Sequence, residues 1–548
     1  MKRGRIPGVI GLLAVFAGLA VPAAALSNRA AAVVVRAGFE ASMPDRFGGD
    51  ADGDGLIDLP NSPAYVRPNV ESGCGPGCPS RFTLVLDATG SRATMGESPL
   101  EISSYRWEIS GPGARHLVRR ESGPYLELQL AEGRYYVSLE VQAALPWGGG
   151  ARARSGREVA VEDVLVVALG DSYASGEGNP EKPRRGEAGA IWADAPGDLA
   201  TAASHAAAHR STVAWPALAA LELERSDPAT SVTFVSVAAT SARVGAGLLE
   251  AQPGVAAQGQ VDQAAALVGG RRIDLLLISI GGNDVGFAHI VRGLVDADRL
   301  ADPICYGTDL HNIWEAAGDG DWHRGSELGF GLPWGVTCRQ TRSSGGPTLP
   351  GLDGLGAELD RLAEAMKEQL DVAGVYLMEY PDPTGGGEDE VGCGEIVGDV
   401  TPPFGFHEIN RAEQAEGRER VVAPLNRILA EAAARHGWAL VGGPAADFAA
   451  GHGYCAPRPS YPAAPADAAN PGSAGGGAAA TAGWYRHPAT WEQPGAFNLE
   501  GVSWYRTAAQ SVALQGPDRA WDSAGTLHPN ELGHLSIARS FLRLLEGD

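Results

Sequence analysis

Several things are scarce in this chain, and each scarcity removes a class of function. Basic residues number 43 against 66 acidic ones, a formal charge of −23. A surface so short of positive charge offers no electrostatic footprint for nucleic acid or for an anionic membrane. Only 6 cysteines occur among 548 residues, and none forms a Cys-x-x-Cys pair. There is also no His-Glu-x-x-His helix and no Walker-type glycine loop, so zinc and nucleotide chemistry have no carrier. Aromatic residues make up 7% of the chain, whereas glycine (75) and proline (37) are plentiful, so long, stiffened loops are expected. Beyond Ala25 no apolar run could span a bilayer.

What is present starts with a targeting segment. Lys2, Arg3 and Arg5 form a basic head, Val9 to Val21 an apolar stretch, and Ala23-Ala24-Ala25 a small-residue cleavage site. Residues 1–25 therefore read as a cleaved signal peptide of an exported, extracellular protein, with an uncleaved N-terminal membrane anchor as the alternative. An even number of cysteines in an exported chain points to disulfides rather than metal. Proximity in sequence pairs Cys74 with Cys78, Cys305 with Cys338, and Cys393 with Cys455, one of several connectivities open to six cysteines. The length exceeds one ordinary core, so two domains or one enlarged domain are expected.

Residues 30–160 read as strands and turns. Phe82 to Leu86, Tyr105 to Ile109, Tyr125 to Leu130 and Tyr135 to Val141 carry β-formers, several alternating apolar with polar, with Gly, Pro or Ser clusters between them. A small β-sandwich is expected. The stretches Asp87-Ala88-Thr89-Gly90-Ser91, Tyr105-Arg106-Trp107 and Gly133-Arg134-Tyr135-Tyr136-Val137 loosely resemble PKD-type, immunoglobulin-like modules. The resemblance implies an accessory module whose partner would be a cell-surface or polysaccharide ligand. Within residues 50–61, Asp50, Asp52, Asp54 and Asp58 alternate around Gly53 and Gly55, matching the first half of a calcium loop, although the twelfth place is Asn61. A structural calcium site and a plain acidic turn both fit this pattern.

From residue 161 to 548 the texture becomes α/β. Val164 to Leu169 is an unbroken apolar run closed by Gly170, the signature of a strand buried on both faces. Ser231 to Val237, Ile273 to Ile280, Val375 to Tyr380 and Trp438 to Val441 read as further strands. Leu352, Leu355, Leu359, Leu362, Met366 and Leu370 mark one helical face, and a second helix covers about Leu425 to His436. Residues 458–483 read as an Ala/Pro/Gly-rich insertion, a surface loop or a lid.

Chemistry concentrates in three places. Gly170-Asp171-Ser172 follows the first buried strand, and Gly281-Gly282-Asn283-Asp284 follows Ile273 to Ile280. Parallel neighbours would bring both turns to one rim of the sheet. Near the end, Leu527-His528-Pro529 precedes a helix with Leu535, Ala538, Phe541, Leu542 and Leu545 on one face. Pro529 suits its first turn, leaving His528 in the loop just before it. The Gly-x-Ser-x-Gly elbow of α/β hydrolases is absent, because Ala174 occupies its last glycine place.

The set resembles the SGNH (GDSL-type) serine hydrolases over roughly residues 161–548. That resemblance implies a three-layer α/β/α, flavodoxin-like fold beside the smaller N-terminal all-β sandwich. The implied reaction is hydrolysis of a carboxylic ester (lipid, phospholipid or acylated sugar) without a catalytic cofactor. Ser172 would be the nucleophile, His528 the general base, and Asn283 an oxyanion donor beside the Ser172 N–H. The remaining backbone donor would come from Ser241, where the family usually has glycine. The family's aspartate three residues before the histidine is replaced by Gly525. Either Asp522 or a backbone carbonyl between Trp521 and Leu527 would orient the imidazole. His289 and His534 receive no role. The alternative is an extracellular binding protein with a degenerate hydrolase scaffold.

Overall fold

The computed structural model describes residues 32–44, 81–112, 114–180, 190, 192, 207–296, 314, 317–320, 349–385, 409, 411–456, 503–515 and 524–547. The segment 1–25, the acidic residues Asp50, Asp52, Asp54 and Asp58, the insertion 458–483, Asp522 and every cysteine but Cys455 lie outside the described residues. Cys455 is disulfide-bonded.

The first part is antiparallel. Its strands are β1 (Val33–Arg36), β2 (Glu40–Ser42), β3 (Arg81–Asp87), β4 (Arg92–Met95), β5 (Ser98–Pro99), β6 (Ile102–Gly111), β7 (Ala114–Glu121), β8 (Tyr125–Ala131) and β9 (Gly133–Ala144). The sheet β2-β3-β8 and the run β9-β6-β7 bury alternate residues in one shared cluster. Phe82, Leu84 and Leu86 come from β3, Trp107 and Ile109 from β6, and Val137, Leu139 and Val141 from β9. This is the period-2 alternation read from the sequence, with Trp107 wholly buried. Strand β7 and the short sheet β1-β4-β5 carry no comparable signal.

Strand β10 (Gly150–Gly170) joins the two textures. Its first half pairs antiparallel with β9 from Gly150–Ala144 to Val161–Gly133. Its second half lies between β11 (Thr230–Ser236) and β12 (Ile273–Ser279), parallel to both. The remaining strands, β13 (Val372–Met378) and β14 (Ala439–Val441), extend the parallel side. Burial follows the same division: exposed and partly exposed residues alternate through Gly156, and Leu165 to Gly170 are continuously buried. Residue 160/161, where the composition changes, thus falls inside one continuous strand.

The parallel strands run in space β11-β10-β12-β13-β14, which in order of appearance is 2-1-3-4-5. This is the flavodoxin-like winding, and its direction reverses between the first and third strands. Helices connect the strands. Trp215–Ser226 packs with Glu531–Glu546, and Gly351–Gln369 packs with both Ala423–His436 and Gln260–Val268. Strand β13 starts three residues before the expected position, leaving Tyr380 and Pro381 beyond its end.

At the junction the buried Asp163 accepts hydrogen bonds from Ser231 Oγ (2.5 Å), Thr233 Oγ1 (2.7 Å) and Arg271 Nη1 (2.7 Å). Arg271 also reaches Glu132 (3.6 Å) and lies over the Phe82 ring, so one guanidinium touches both sheet systems.

Candidate active site

The register fixes which residues meet. Gly170 stands opposite Ser279, so the turns after β10 and β12 emerge side by side at the switch point. Gly170 has φ +137°, and a Cβ there would collide with the Ser279 carbonyl, so only glycine lets the two backbones approach this closely. The Gln260 side chain pairs with both polar groups of Gly170, N–H to Oε1 at 2.7 Å and Nε2 to the carbonyl at 2.9 Å.

Ser172 opens a single helical turn, Ser172–Ser175, capped by the Asp171 carboxylate, which accepts from the Tyr173 N–H at 3.0 Å. Asp171 also accepts from Ser279 Oγ (3.1 Å) and from the Tyr380 hydroxyl. Burial pushes its carboxyl up to about 7 against the pull of these donors. Tyr380 Oη in turn accepts the Gly282 N–H at 2.9 Å, tying the end of β13 to both turns.

His528 Nε2 lies 2.7 Å from Ser172 Oγ across 356 positions of sequence. Its Nδ1 lies 3.2 Å from the Thr526 carbonyl. A carbonyl can only accept, which assigns the imidazole proton to Nδ1 and leaves Nε2 to accept the Ser172 hydroxyl proton. Both residues are buried, His528 at 3% and Ser172 at 4% exposure. Burial drives the imidazole down to about 4, although the nearby Glu177 carboxylate and the bonds to Thr526 and Gly525 act the other way. The acceptor is thus a main-chain carbonyl in the Trp521–Leu527 stretch; Asp522 lies outside the described residues.

The histidine loop is held by backbone bonds rather than by the helix that follows. The last helix begins at Glu531, with Asn530 as its cap accepting from Leu532 (3.0 Å) and Gly533 (3.1 Å). Pro529 is therefore not a first-turn residue; it bridges Tyr505 in a short antiparallel contact, because the Asn530 side chain supplies the cap. The Arg506 N–H donates to the His528 carbonyl (2.8 Å), and the Leu527 N–H to the Arg506 carbonyl (3.0 Å). The Tyr173 hydroxyl donates to the Leu527 carbonyl at 2.7 Å. The Arg506 guanidinium joins the serine turn to this loop through the Gly178 carbonyl (3.0 Å), Asn179 Oδ1 (2.8 Å) and Glu531.

Ser241 and Asn283 form the neighbouring group. Asn283 Nδ2 donates to the Ala242 carbonyl at 3.1 Å, which fixes the amide next to Ser241. Asp284 accepts the Val244 N–H at 3.2 Å and links the same two loops; burial holds its carboxyl up at about 7. Ser241 itself adopts φ +60°, the left-handed conformation that glycine takes most easily. Among the described residues the N–H groups of Ser172 and Ser241 have no protein acceptor.

Of the other histidines, exposed His289 lies on the helix Phe287–Asp296. His534 is wholly buried and accepts the Trp215 N–H on Nδ1 at 3.2 Å. Among the described residues no cluster of three or more His, Cys, Asp or Glu could hold a metal ion. Sequence reasoning misses Arg506, Tyr380, Gln260 and Glu177. Only Glu177 carries a local signal, an acid set between Gly176 and Gly178 in the turn that follows the serine.

No family model and no curated protein matches the chain. Among solved structures it is similar to an extracellular lipase from Streptomyces rimosus, with 19% identity and a TM-score of 0.35 over 70% of this chain and 99% of that one. It is also similar to phospholipase A1 from Streptomyces albidoflavus NA297, with 18% identity and a TM-score of 0.34 over 70% and 98% of the two chains. A putative arylesterase from Agrobacterium tumefaciens str. C58 aligns at 12% identity and a TM-score of 0.26 over 70% and 99%. At these values the likeness assigns neither family nor activity.

Proposed function

We propose that the chain is an exported serine hydrolase of carboxylic esters, working in the SGNH manner through a Ser172–His528 dyad. The observation that carries this reading is the 2.7 Å contact between Ser172 Oγ and His528 Nε2, with the proton of Nδ1 committed to a backbone carbonyl. A neutral imidazole in that tautomer is ready to accept a proton, and its lowered pKa keeps it neutral throughout the neutral range.

As Ser172 Oγ bonds to the ester carbonyl carbon, its proton passes to His528 Nε2 and the carbonyl electron pair moves onto oxygen. The N–H groups of Ser172 and Ser241 and the Asn283 amide stabilise that oxyanion. Collapse of the tetrahedral adduct expels the alcohol, which takes the proton back from the imidazolium. Water then attacks the acyl-serine with His528 again as base, releasing the acid and restoring the serine. The Thr526 carbonyl does the orienting work of the missing aspartate by fixing the tautomer; being uncharged, it stabilises the imidazolium less than a carboxylate would. The antiparallel strands before residue 161 are read as an accessory module that takes no part in these steps.

Labelling with a fluorophosphonate and turnover of a short-chain aryl ester test this reading together. Wild type is expected to be labelled on Ser172 and to turn over. Ser172→Ala is expected to lose both, with turnover falling by about a thousandfold or more, while its circular dichroism is unchanged. A wild-type protein that neither reacts nor turns over any ester in a chain-length series would instead support the binding-protein reading.

A further inference from the structure

Glu177 lies five residues after the proposed nucleophile with its side chain wholly buried, and its backbone N–H donates to the Ser172 carbonyl at 3.0 Å. A buried carboxylate is costly unless it is paired and hydrogen-bonded. Here one oxygen accepts from His209 Nδ1 at 2.7 Å, and the other accepts from Gln515 Nε2. His209 is itself held by stacking on Trp192, with ring centroids 4.3 Å apart and planes 4° from parallel.

From Glu177 a chain of hydrogen bonds leads to the histidine loop. Gln515 Oε1 accepts from Ser511 Oγ at 3.2 Å, Ser511 Oγ accepts the Gly525 N–H at 2.9 Å, and the Gly525 carbonyl accepts the His528 N–H at 3.1 Å. Gly525 has no room for a side chain: a Cβ there would collide with Gln515 Oε1 and would come within 2.8 Å of Gly178 Cα and 3.0 Å of Ser511 Oγ. The place three residues before His528 is thus filled from outside by the Gln515 and Ser511 side chains and by the serine turn itself.

We infer that Glu177 is a positioning residue for His528, holding the histidine loop through Gln515, Ser511 and Gly525 and setting a fixed negative charge beside the imidazole. This rests on the proposed hydrolase reading and goes beyond it, since it assigns to a different side chain the electrostatic work that the Thr526 carbonyl cannot do. Desolvation alone would raise the Glu177 carboxyl, but His209, the His528 ring and the Thr240 hydrogen bond outweigh it and bring the group down to about 2, so it is ionised despite its burial. The ionisable groups that bear on His528 are Glu177 and His209 from the serine side, Tyr173 against its ring, and His534 with the Arg506–Glu531 pair on the helix side. Glu177 is the acid whose charge acts on the imidazole directly.

Removing the charge while keeping the shape has two consequences of known sign. The imidazolium formed on proton transfer loses a stabilising neighbour, so turnover at neutral pH falls. The resting imidazole becomes still harder to protonate, so the acid limb of the rate profile moves to lower pH. Glu177→Gln is expected to lower kcat roughly tenfold and to move the acid limb of fluorophosphonate labelling down by about one pH unit, with Glu177→Asp restoring part of both. A role in structure alone would lower the rate without moving the limb, so a folded Glu177→Gln with its limb unmoved overturns the inference. If Glu177→Gln does not fold, Gln515→Met keeps the acid and cuts its link to Ser511. Slower labelling with its acid limb moved to lower pH, as the carboxylate is released from its Gln515 donor, then supports the inference, and an unmoved limb overturns it. Failure of wild type to be labelled on Ser172 would strike the hydrolase reading instead.

Discussion

The two halves of strand β10 are one piece of chain under two sets of rules. Residues 150–161 run antiparallel to β9, and residues 162–170 are flanked by parallel neighbours. The strands beside them differ in what they carry at their ends. Past the carboxyl ends of the parallel strands, or on the loop that meets them, sit Asp171, Glu177, Asp284, Tyr380 and His528, all with strongly displaced ionisation. In the antiparallel part the shifted groups among the described residues are Tyr105, Glu132 and Tyr135, all raised by burial. Among the described residues the non-glycine positions at positive φ are His209, Ser241 and Leu527, and these likewise lie around the candidate site. Strain and displaced ionisation concentrate where chemistry is proposed, and the antiparallel sheets are built almost wholly from alternation and packing.

The sharpest way to break that contrast is to damage the antiparallel core alone. Trp107 of β6 is fully buried in a cluster that includes Phe82 and Leu86 of β3 and Leu139 of β9, and its ring packs edge-on against Phe39. Trp107→Ala is expected to cost about 3–5 kcal/mol of stability, the usual penalty for emptying a buried aromatic site. The urea midpoint reads that loss. Ester turnover per folded molecule should be unchanged, because Trp107 belongs to a different cluster from the one that packs around the parallel strands and Tyr173. A fall in turnover below the unfolding transition would mean that the two halves of β10 are coupled in function as well as in sequence.

The converse is to damage chemistry without damaging the fold. Asn283→Ala removes one proposed oxyanion donor from a half-buried side chain whose one bond among the described residues is to the Ala242 carbonyl. Turnover is expected to fall by about a hundred- to a thousandfold with KM changed little. Steady-state kinetics on an aryl ester check it; a loss confined to KM would remove Asn283 from the oxyanion group.

How much of this is legible in sequence depends on how far apart the partners lie. Alternation at Tyr105, Trp107 and Ile109, and the unbroken run Val164 to Leu169, are local patterns and mark strands where strands are found. The glycine-flanked turns at Ser172 and Asn283 are legible because short apolar strands lead directly into them. The full length of β10 is not, since Arg152, Arg154, Arg157 and Glu158 look like loop until β9 is seen beside them. Tyr380 reaches Asp171 across 209 positions and Arg506 reaches Gly178 across 328; no periodicity encodes such contacts. Pro529 misleads about the last helix because proline is a strong helix-start signal, yet the asparagine one place later carries the side-chain cap.

Acid should separate the two regions as well. Burial holds His528 at about 4 and His534 at about 3, from an ordinary value of 6.5. As pH falls below 6.5 the unfolded chain takes up protons that these folded imidazoles refuse, so each contributes a loss of stability that continues down to its folded pKa. Asp171 and Asp284 act oppositely: raised from 3.8 to about 7, they bind protons first in the folded state and add stability as pH falls from 7 towards 3.8. His534→Gln removes one of the two losses while keeping an acceptor for the Trp215 N–H. Relative to wild type it is expected to gain about 1.4 kcal/mol for each pH unit between 6.5 and 3. Urea midpoints at three pH values check it, and a constant difference between the two proteins would show that His534 does not titrate with unfolding.

The smallest effect concerns the left-handed residue at the rim. Ser241 is exposed and has φ +60°, where a side chain costs roughly 1 kcal/mol that glycine does not incur. Ser241→Gly should therefore raise the urea midpoint slightly, and Ser241→Val, branched at Cβ, should lower it by more. The antiparallel region offers the control: its positive φ angles among the described residues, at Gly96, Gly133, Gly148 and Gly149, are already glycine, so no substitution there can relieve strain. If Ser241→Gly leaves stability unchanged or lowers it, the serine side chain compensates its own backbone strain, and the residue's conformation ceases to mark the place of a glycine.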